Sequence, residues 1–248
     1  SNSYTLTIES DTLIVGNYCF LSNLRTGTLT IPNSVTSLGN AAFQDCINIQ
    51  TIILGSGIKT IGANTFYRMS SVSGNLVIPD SVESIGGSAF YSTPFTGTLT
   101  LGTGLKTIGS AAFSAQFSGT LTIPSLVTAI GEAAFWNNNF SAISSAATGF
   151  TVSDYVLYDE TTSGQIKAHT SARGYAGTLT LKTGTTSILL YCFYNNTSRT
   201  GTITILATVT SIGQYAFYSA NAFTALVFDG TPTIATIALN AFYNCKAL

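Results

Sequence analysis

The chain has 248 residues, enough for one or two ordinary domains with a sizeable core. Charged residues make up only 8% against 45% hydrophobic, so the polar surface must be built from Thr, Ser, Asn and Gly. A net charge of −1 gives no basic field for nucleic acid and no patch for an anionic membrane, and no apolar run approaches the ~18 residues that cross a bilayer.

Taken from the start, the chain shows no charged stretch followed by an apolar one, so neither a secretion signal nor an anchor is visible. Its opening, Ser1-Asn2-Ser3 without Met, is what a mature or trimmed chain would show. The first element is a short alternating run, Thr5-Leu6-Thr7-Ile8, and it recurs. Further copies are Thr28-Leu29-Thr30-Ile31, Thr51-Ile52-Ile53-Leu54, Asn75-Leu76-Val77-Ile78, Thr98-Leu99-Thr100-Leu101 and Thr120-Leu121-Thr122-Ile123. Later copies begin at Thr178, Thr202 and Ala225. Period-two alternation with β-branched residues predicts a strand with one buried face. Pro32, Pro79 and Pro124 follow directly and end it, because proline cannot donate to a ladder. A second apolar pair comes next, as in Val35/Leu38, Ile58/Ile61, Val82/Ile85 and Leu105/Ile108, then a glycine (Gly16, Gly39, Gly62, Gly86, Gly109, Gly131, Gly213) that predicts a bend.

Each unit closes on a Phe: Phe20, Phe43, Phe66, Phe90, Phe113, Phe135, Phe193, Phe217 and Phe242. Seven of the eight gaps fall between 22 and 25 residues, and the exception, between Phe135 and Phe193, is 58. A unit this small cannot bury its own apolar stripe, whereas stacked units share one continuous core. The period lies in the range of roughly 20–29 residues found in leucine-rich repeats. The prediction is a single domain over 1–248, a mainly β repeat solenoid of about nine to ten units. Parallel strands would stack along a right-handed coil, with short helical or irregular outer segments.

The long gap holds one degenerate strand, Ala142-Ile143-Ser144-Ser145, and an insertion near 146–173. Two alternating runs around Thr161-Thr162-Ser163-Gly164 predict one β-hairpin, which projects from or extends the solenoid wall. Leu189 stands where seven of the units carry the glycine, and Leu248 falls at the slot of Ile49, so the array stops mid-unit, an edge expecting a cap, more chain or a partner.

Units such as Leu29-Thr30-Ile31-Pro32-Asn33-Ser34-Val35-Thr36-Ser37-Leu38-Gly39-Asn40-Ala41-Ala42-Phe43 resemble the BspA-type leucine-rich repeat family of bacterial and protozoan surface proteins. The resemblance covers essentially the whole chain, and Asp154-Tyr155-Val156-Leu157-Tyr158 is similar to an insertion common in that family. It implies a leucine-rich-repeat solenoid, an extracellular or cell-surface location, and adhesion to host matrix proteins or other cells. The motif is a scaffold motif, so it assigns no binding residue.

Chemistry finds little to build on. The one histidine, His169, has no motif around it; Asp154, Asp159 and Glu160 lack the spacing of a calcium loop; and no glycine-rich phosphate cradle follows a strand. The four cysteines sit one residue before the repeat Phe (Cys19, Cys192) or three after it (Cys46, Cys245), in different coils, so they are expected as free structural thiols, with Cys19–Cys46 the one alternative pairing. The expectation is a non-enzymatic chain without metal or cofactor.

Binding has more candidates. The outward strand positions Thr7, Thr30, Ile53, Val77, Thr100, Thr122, Thr180, Thr204 and Val227 form a nearly uncharged face. One residue past the repeat Phe lies an aromatic row, Tyr67, Tyr91, Trp136, Tyr194, Tyr218 and Tyr243, and the insertion adds Tyr155, Tyr158 and His169. Both rows also have a plain structural reading, as packing between neighbouring coils. The favoured reading is an interaction or adhesion module whose partner is a protein, such as a host matrix or cell-surface protein. The alternatives are a glycan-binding module and a spacer that presents another domain.

Overall fold

The structure is a computed structural model that describes residues 5–231 and 233–248. Two compact units make up the chain: Ser1–Ser118 with Pro124–Phe135, and Gly119–Ile123 with Trp136–Leu248. Each is a stack of solenoid coils with parallel strands.

In the first unit the sheet that runs through every coil is made of two-residue strands: Ile14–Val15, Ser37–Leu38, Thr60–Ile61, Ser84–Ile85, Thr107–Ile108 and Ala129–Ile130, all parallel and in register. Val15, Leu38, Ile61, Ile85, Ile108 and Ile130 thereby form one buried file. The alternating runs read as the main strands do pair, but only two by two: Gly27–Thr30 with Ile49–Ile53, and Leu76–Val77 with Leu99–Thr100. Two residues are too few to show a period of two, so the more continuous sheet carries the weaker sequence signal.

The glycine after each short strand is there for clearance. A Cβ on Gly109 would lie 2.4 Å from the Gly87 nitrogen, and one on Gly131 2.3 Å from that of Ser110. Gly16, in the first coil, has nothing within 4 Å. The expected bend is thus a close approach of one coil to the coil before it, and a left-handed backbone is not what requires glycine here.

The outer arc is not helical: among the described residues no helix forms, which corrects the helical part of that expectation. Alternate N–H groups already have partners in the next coil. Ala41 N–H donates to the Ala63 carbonyl (2.8 Å), Phe43 to Thr65 (2.8 Å) and Asp45 to Tyr67 (2.9 Å), leaving only short turns such as Gln44 to Ala41. The chain is aimed this way by non-glycine residues in the left-handed region two before and two after the repeat Phe, as at Ala41 (φ 53°) and Asp45 (φ 58°).

Inside the arc the repeat phenylalanines stack ring on ring. Phe20, Phe43, Phe66, Phe90, Phe113 and Phe135 lie 5.0–5.8 Å apart in succession, and five of these rings, from Phe43 to Phe135, are buried. In the second unit Phe193, Phe217 and Phe242 continue the pattern at 4.9 and 5.0 Å.

The second unit contains the degenerate strand, here Asn139–Ser145, whose Ser144 hydroxyl lies 3.0 Å from that of Thr122. The insertion then differs from the single expected hairpin. Phe150–Ser153 pairs antiparallel with Val156–Asp159 across a two-residue turn, and Val156–Asp159 pairs antiparallel with Lys167–Ser171 across the turn foreseen at 161–164. Lys167–Ser171 in turn runs parallel to Ser187–Ile188, with Ser211–Ile212 and Thr236–Ile237 beyond. The insertion is therefore a three-stranded meander that extends the sheet. The missed turn is Asp154-Tyr155, with φ 46° and 57°, a conformation usually signalled by glycine and unmarked in this sequence.

Candidate functional site

The aromatic row expected one residue past the repeat Phe exists, and in the second unit it is wider than the sequence indicated. Tyr194, Tyr218 and Tyr243 stack at 5.2 Å intervals. Beside them stands a second file, Tyr191 and Tyr215, stacked at 5.1 Å and meeting the first edge-on at 5.4 and 5.6 Å. Trp136 closes the cluster, stacked on Tyr191 at 4.5 Å and edge-on to Tyr194 at 5.5 Å. All six rings are partly or fully exposed, Tyr243 most of all at 58%. Tyr191 and Tyr215 escaped the sequence reading although they share one repeat phase, two residues before the Phe. In the first unit the row reduces to one pair, Tyr67 and Tyr91, 5.4 Å apart.

The rings present their edges. Each stacked face lies against the next coil's ring, which leaves little open face except at Tyr243. Preassembled rings lose little side-chain freedom when a partner arrives.

Next to this cluster sits a cation from the end of the insertion. Arg173 is half-buried, its Nη1 donating to the Asn137 side-chain oxygen (3.2 Å), while its Nε is buried without a hydrogen-bond partner. Burial holds its pKa below the ordinary guanidinium value, with the nearby Tyr194 acting in the opposite sense.

The insertion's candidates separate. Tyr155 is exposed at 39% and stacks on Tyr175 at 3.9 Å. Tyr158 is fully buried, its hydroxyl accepting from the Lys182 backbone N–H (3.0 Å), and burial raises its pKa. His169 is 2% exposed. Tyr158 and His169 thus lie inside the unit, out of reach of a surface ligand, because the meander that carries them is part of the sheet.

A second arginine fixes this meander. Arg199 is fully buried; its Nη1 donates to Asp154 Oδ2 (2.8 Å) and to the Thr178 carbonyl (3.1 Å), Nη2 donates to the Asp154 carbonyl, and the guanidinium lies 4.9 Å from the centre of the Tyr175 ring. Asp154 also accepts from Thr180 N–H (2.7 Å). At the other end of the hairpin Lys182 pairs with Glu160 and donates to Thr151 Oγ1 (2.9 Å), and the ammonium and hydroxyl together hold the Glu160 carboxyl below its usual range.

The outward strand face is exposed at Ile53 (51%) and Val77 (59%), which line a shallow depression with Asn33, Asn75 and Pro79. Among the described residues no group of three or more His, Cys, Asp or Glu could hold a metal ion, and no helix is long and apolar enough to cross a membrane. All four cysteines are unpaired thiols, without the alternative Cys19–Cys46 bond. Cys46 donates to the Phe20 carbonyl at 3.1 Å, and its pKa is pushed up to about 11 by burial.

Stacked coils of this period, with a glycine clearance and a buried Phe stack, define a leucine-rich-repeat solenoid. The chain belongs to the family described as the BspA-type leucine-rich repeat region, whose model matches six copies over residues 13–141 and 164–248. Among solved structures it is similar to a leucine-rich cell surface protein of Faecalibacterium prausnitzii, with 22% identity and a TM-score of 0.73 over 95% of this chain and 75% of that one. It is also similar to the pneumococcal vaccine antigen PcpA, with 22% identity and a TM-score of 0.76 over 88% of this chain. The match spans only 54% of PcpA. A leucine-rich repeat protein of Eubacterium ventriosum follows at 19% identity and a TM-score of 0.57, over 89% of this chain and 71% of that one. No curated protein matches the chain. At these identities the structural likeness speaks for the fold.

Proposed function

We propose that the chain is a non-enzymatic interaction module, secreted or displayed at a cell surface, that binds a protein partner through the aromatic cluster of its second unit. The observation that carries this reading is the set of six contiguous partly exposed rings, Trp136, Tyr191, Tyr194, Tyr215, Tyr218 and Tyr243, beside a chain surface otherwise poor in charge. Tyrosine and tryptophan concentrate at protein interfaces because they give large contact area with a polar rim. The module's surface setting agrees with its family and with the printed description of the Faecalibacterium protein as a cell surface protein. Sugar rings stack on open aromatic faces, and here most faces are already covered by the neighbouring coil, so a protein partner is preferred to a glycan.

The test is binding of the purified chain to parallel arrays of matrix proteins, cell-surface proteins and glycans, alongside Tyr194→Ser/Tyr218→Ser. Saturable binding to a protein that the double variant loses while its melting curve stays cooperative supports the reading. Binding to glycans alone, or silence on every array, overturns it; silence favours a spacer.

A further inference from the structure

We infer that Arg173, with Asn137 and the rim of Tyr194, forms a docking point for a carboxylate side chain of the partner, so that the segment recognised by the aromatic cluster carries an Asp or Glu. This rests on the reading of the cluster as a protein-binding surface and adds the chemistry of what it recognises.

The two arginines of the second unit show why. Arg199 is completely buried and has its counter-charge: a carboxylate, two carbonyls and an aromatic ring surround it, and only its Nε lacks a partner, as that of Arg173 does. Arg173 is half-buried beside the same kind of aromatic wall, yet its hydrogen bonding ends at one neutral amide oxygen. No carboxylate lies within ion-pair distance of it among the described residues. A cation withdrawn from water without a counter-charge is unfavourable, and the penalty falls when an anion arrives. Nη1 is taken by Asn137, while Nη2 has no hydrogen bond among the described residues. The carboxylate is the anion favoured here: guanidinium and carboxylate match in plane and spacing. Tyrosine hydroxyls alongside can donate to its second oxygen.

The position also explains how such a contact would be read out. Trp136 is the only tryptophan of the chain, adjacent in sequence to Asn137 and stacked on Tyr191. Its fluorescence therefore reports on events at Arg173 without an added label.

The experiment titrates the chain with a blocked octapeptide of glutamates, its glutamine counterpart and a uronic-acid octasaccharide, following Trp136 emission at low ionic strength. The expected result is a saturable change with the glutamate peptide only, weakened about tenfold or more in Arg173→Gln, as loss of a charge-assisted hydrogen bond implies. The surface control Lys246→Gln should leave it unchanged. Arg173→Lys, which keeps the charge and loses the fork, should fall between the two, and superimposable denaturation curves confirm that each variant is folded. Equal responses to glutamate and glutamine peptides, or binding undiminished in Arg173→Gln, overturns the inference. A response to the octasaccharide alone also overturns it, in favour of an acidic glycan. If the arrays yield a protein partner that binds wild type and Arg173→Gln equally, this inference fails while the protein-binding reading stands; if they yield none, the broader reading fails first.

Discussion

The coils of residues 14–135 and the meander of residues 150–171 are held together by different physics. In the coils every stabilising feature repeats: a glycine that lets backbones approach, a Phe that stacks on the next, an aliphatic file, and N–H groups donating from one turn to the following one. Charge contributes little there, since the ion pairs Arg68–Asp45 and Lys106–Glu83 lie on the surface. In the meander the contacts occur once each: Arg199 on Asp154, Lys182 on Glu160 and Thr151, Tyr158 under the Lys182 backbone. A period is interrupted at this point, so packing by translation is lost and named polar partners take over. Repetition suits a scaffold; single-use contacts are where a chain can change its surface without changing its coil.

Two large effects would test this division. Phe113 is stacked on both sides within the regular coils, and Phe113→Ala should lower stability by about 3–5 kcal/mol, measured by chemical denaturation. Arg199→Met should cost a similar amount, about 3–5 kcal/mol, because it removes the buried partner of the Asp154 carboxyl and leaves that group without its ion pair. Its signature differs: hydrogen exchange should accelerate first at Val156–Asp159, whereas Phe113→Ala loosens the coils around it. If Arg199→Met behaved like an ordinary surface substitution, within about 0.5 kcal/mol, the meander would be held by packing as the coils are.

A smaller effect separates clearance from strain at the repeat glycines. Gly109→Ala places a Cβ 2.4 Å from the Gly87 nitrogen, against backbone that cannot turn aside, and should cost about 1–3 kcal/mol or more. Gly16→Ala, with open space around it, should change the melting temperature little. Leu189 is consistent with this contrast: the element before it is the Lys167–Ser171 strand of the meander, and Leu189 N–H donates to Ala168 there. Ala238 carries a methyl at the same slot of the last coil, its N–H donating to Ile212, so the slot tolerates a small side chain at that end of the array.

Acid should weaken the meander through Glu160. Glu160 has its folded pKa lowered by the Lys182 ammonium and the Thr151 hydroxyl, so its contribution is complete above the ordinary value of 4.5 and is lost as pH falls through the lower folded one. Glu160→Gln should therefore melt below wild type at pH 7, with the gap closing as pH drops toward 3. A gap independent of pH would mean that Glu160 acts through packing alone.

These same contrasts explain what could be read from the sequence. The coils were legible because one feature, the Phe at intervals of 22–25 residues, is repeated often enough to align everything else. The two-residue strands were not, being shorter than any periodicity they could display. The meander's second turn was hidden because Asp154 and Tyr155 adopt positive φ without glycine, supported by Arg199, 45 residues further on. In the site, the row at Tyr194, Tyr218 and Tyr243 came from repeat phase, and Tyr191 and Tyr215 could have come the same way. Arg173 could not: its importance lies in the partner it lacks, which only the fold reveals.

The smallest effect concerns the outer arc and bears on why the coils need no helix. Ala111 sits at φ 53°, two residues before Phe113, with its N–H donating to Glu132 and its carbonyl accepting from Ser114. A side chain in the left-handed region crowds the following carbonyl, at about 1–2 kcal/mol, and glycine escapes that penalty while losing more entropy on folding, about 0.5–1 kcal/mol. Ala111→Gly should therefore be neutral or raise stability by up to about 1 kcal/mol, although alanine-to-glycine changes ordinarily destabilise. Ala112, next in the chain, is fully buried at an ordinary φ, and Ala112→Gly should lower stability. Opposite signs at adjacent positions, read from paired thermal melts, would show that the arc is held by turns whose strain the inter-coil hydrogen bonds outweigh. Equal losses at both would mean that the methyl's packing governs the arc and the left-handed geometry carries little strain.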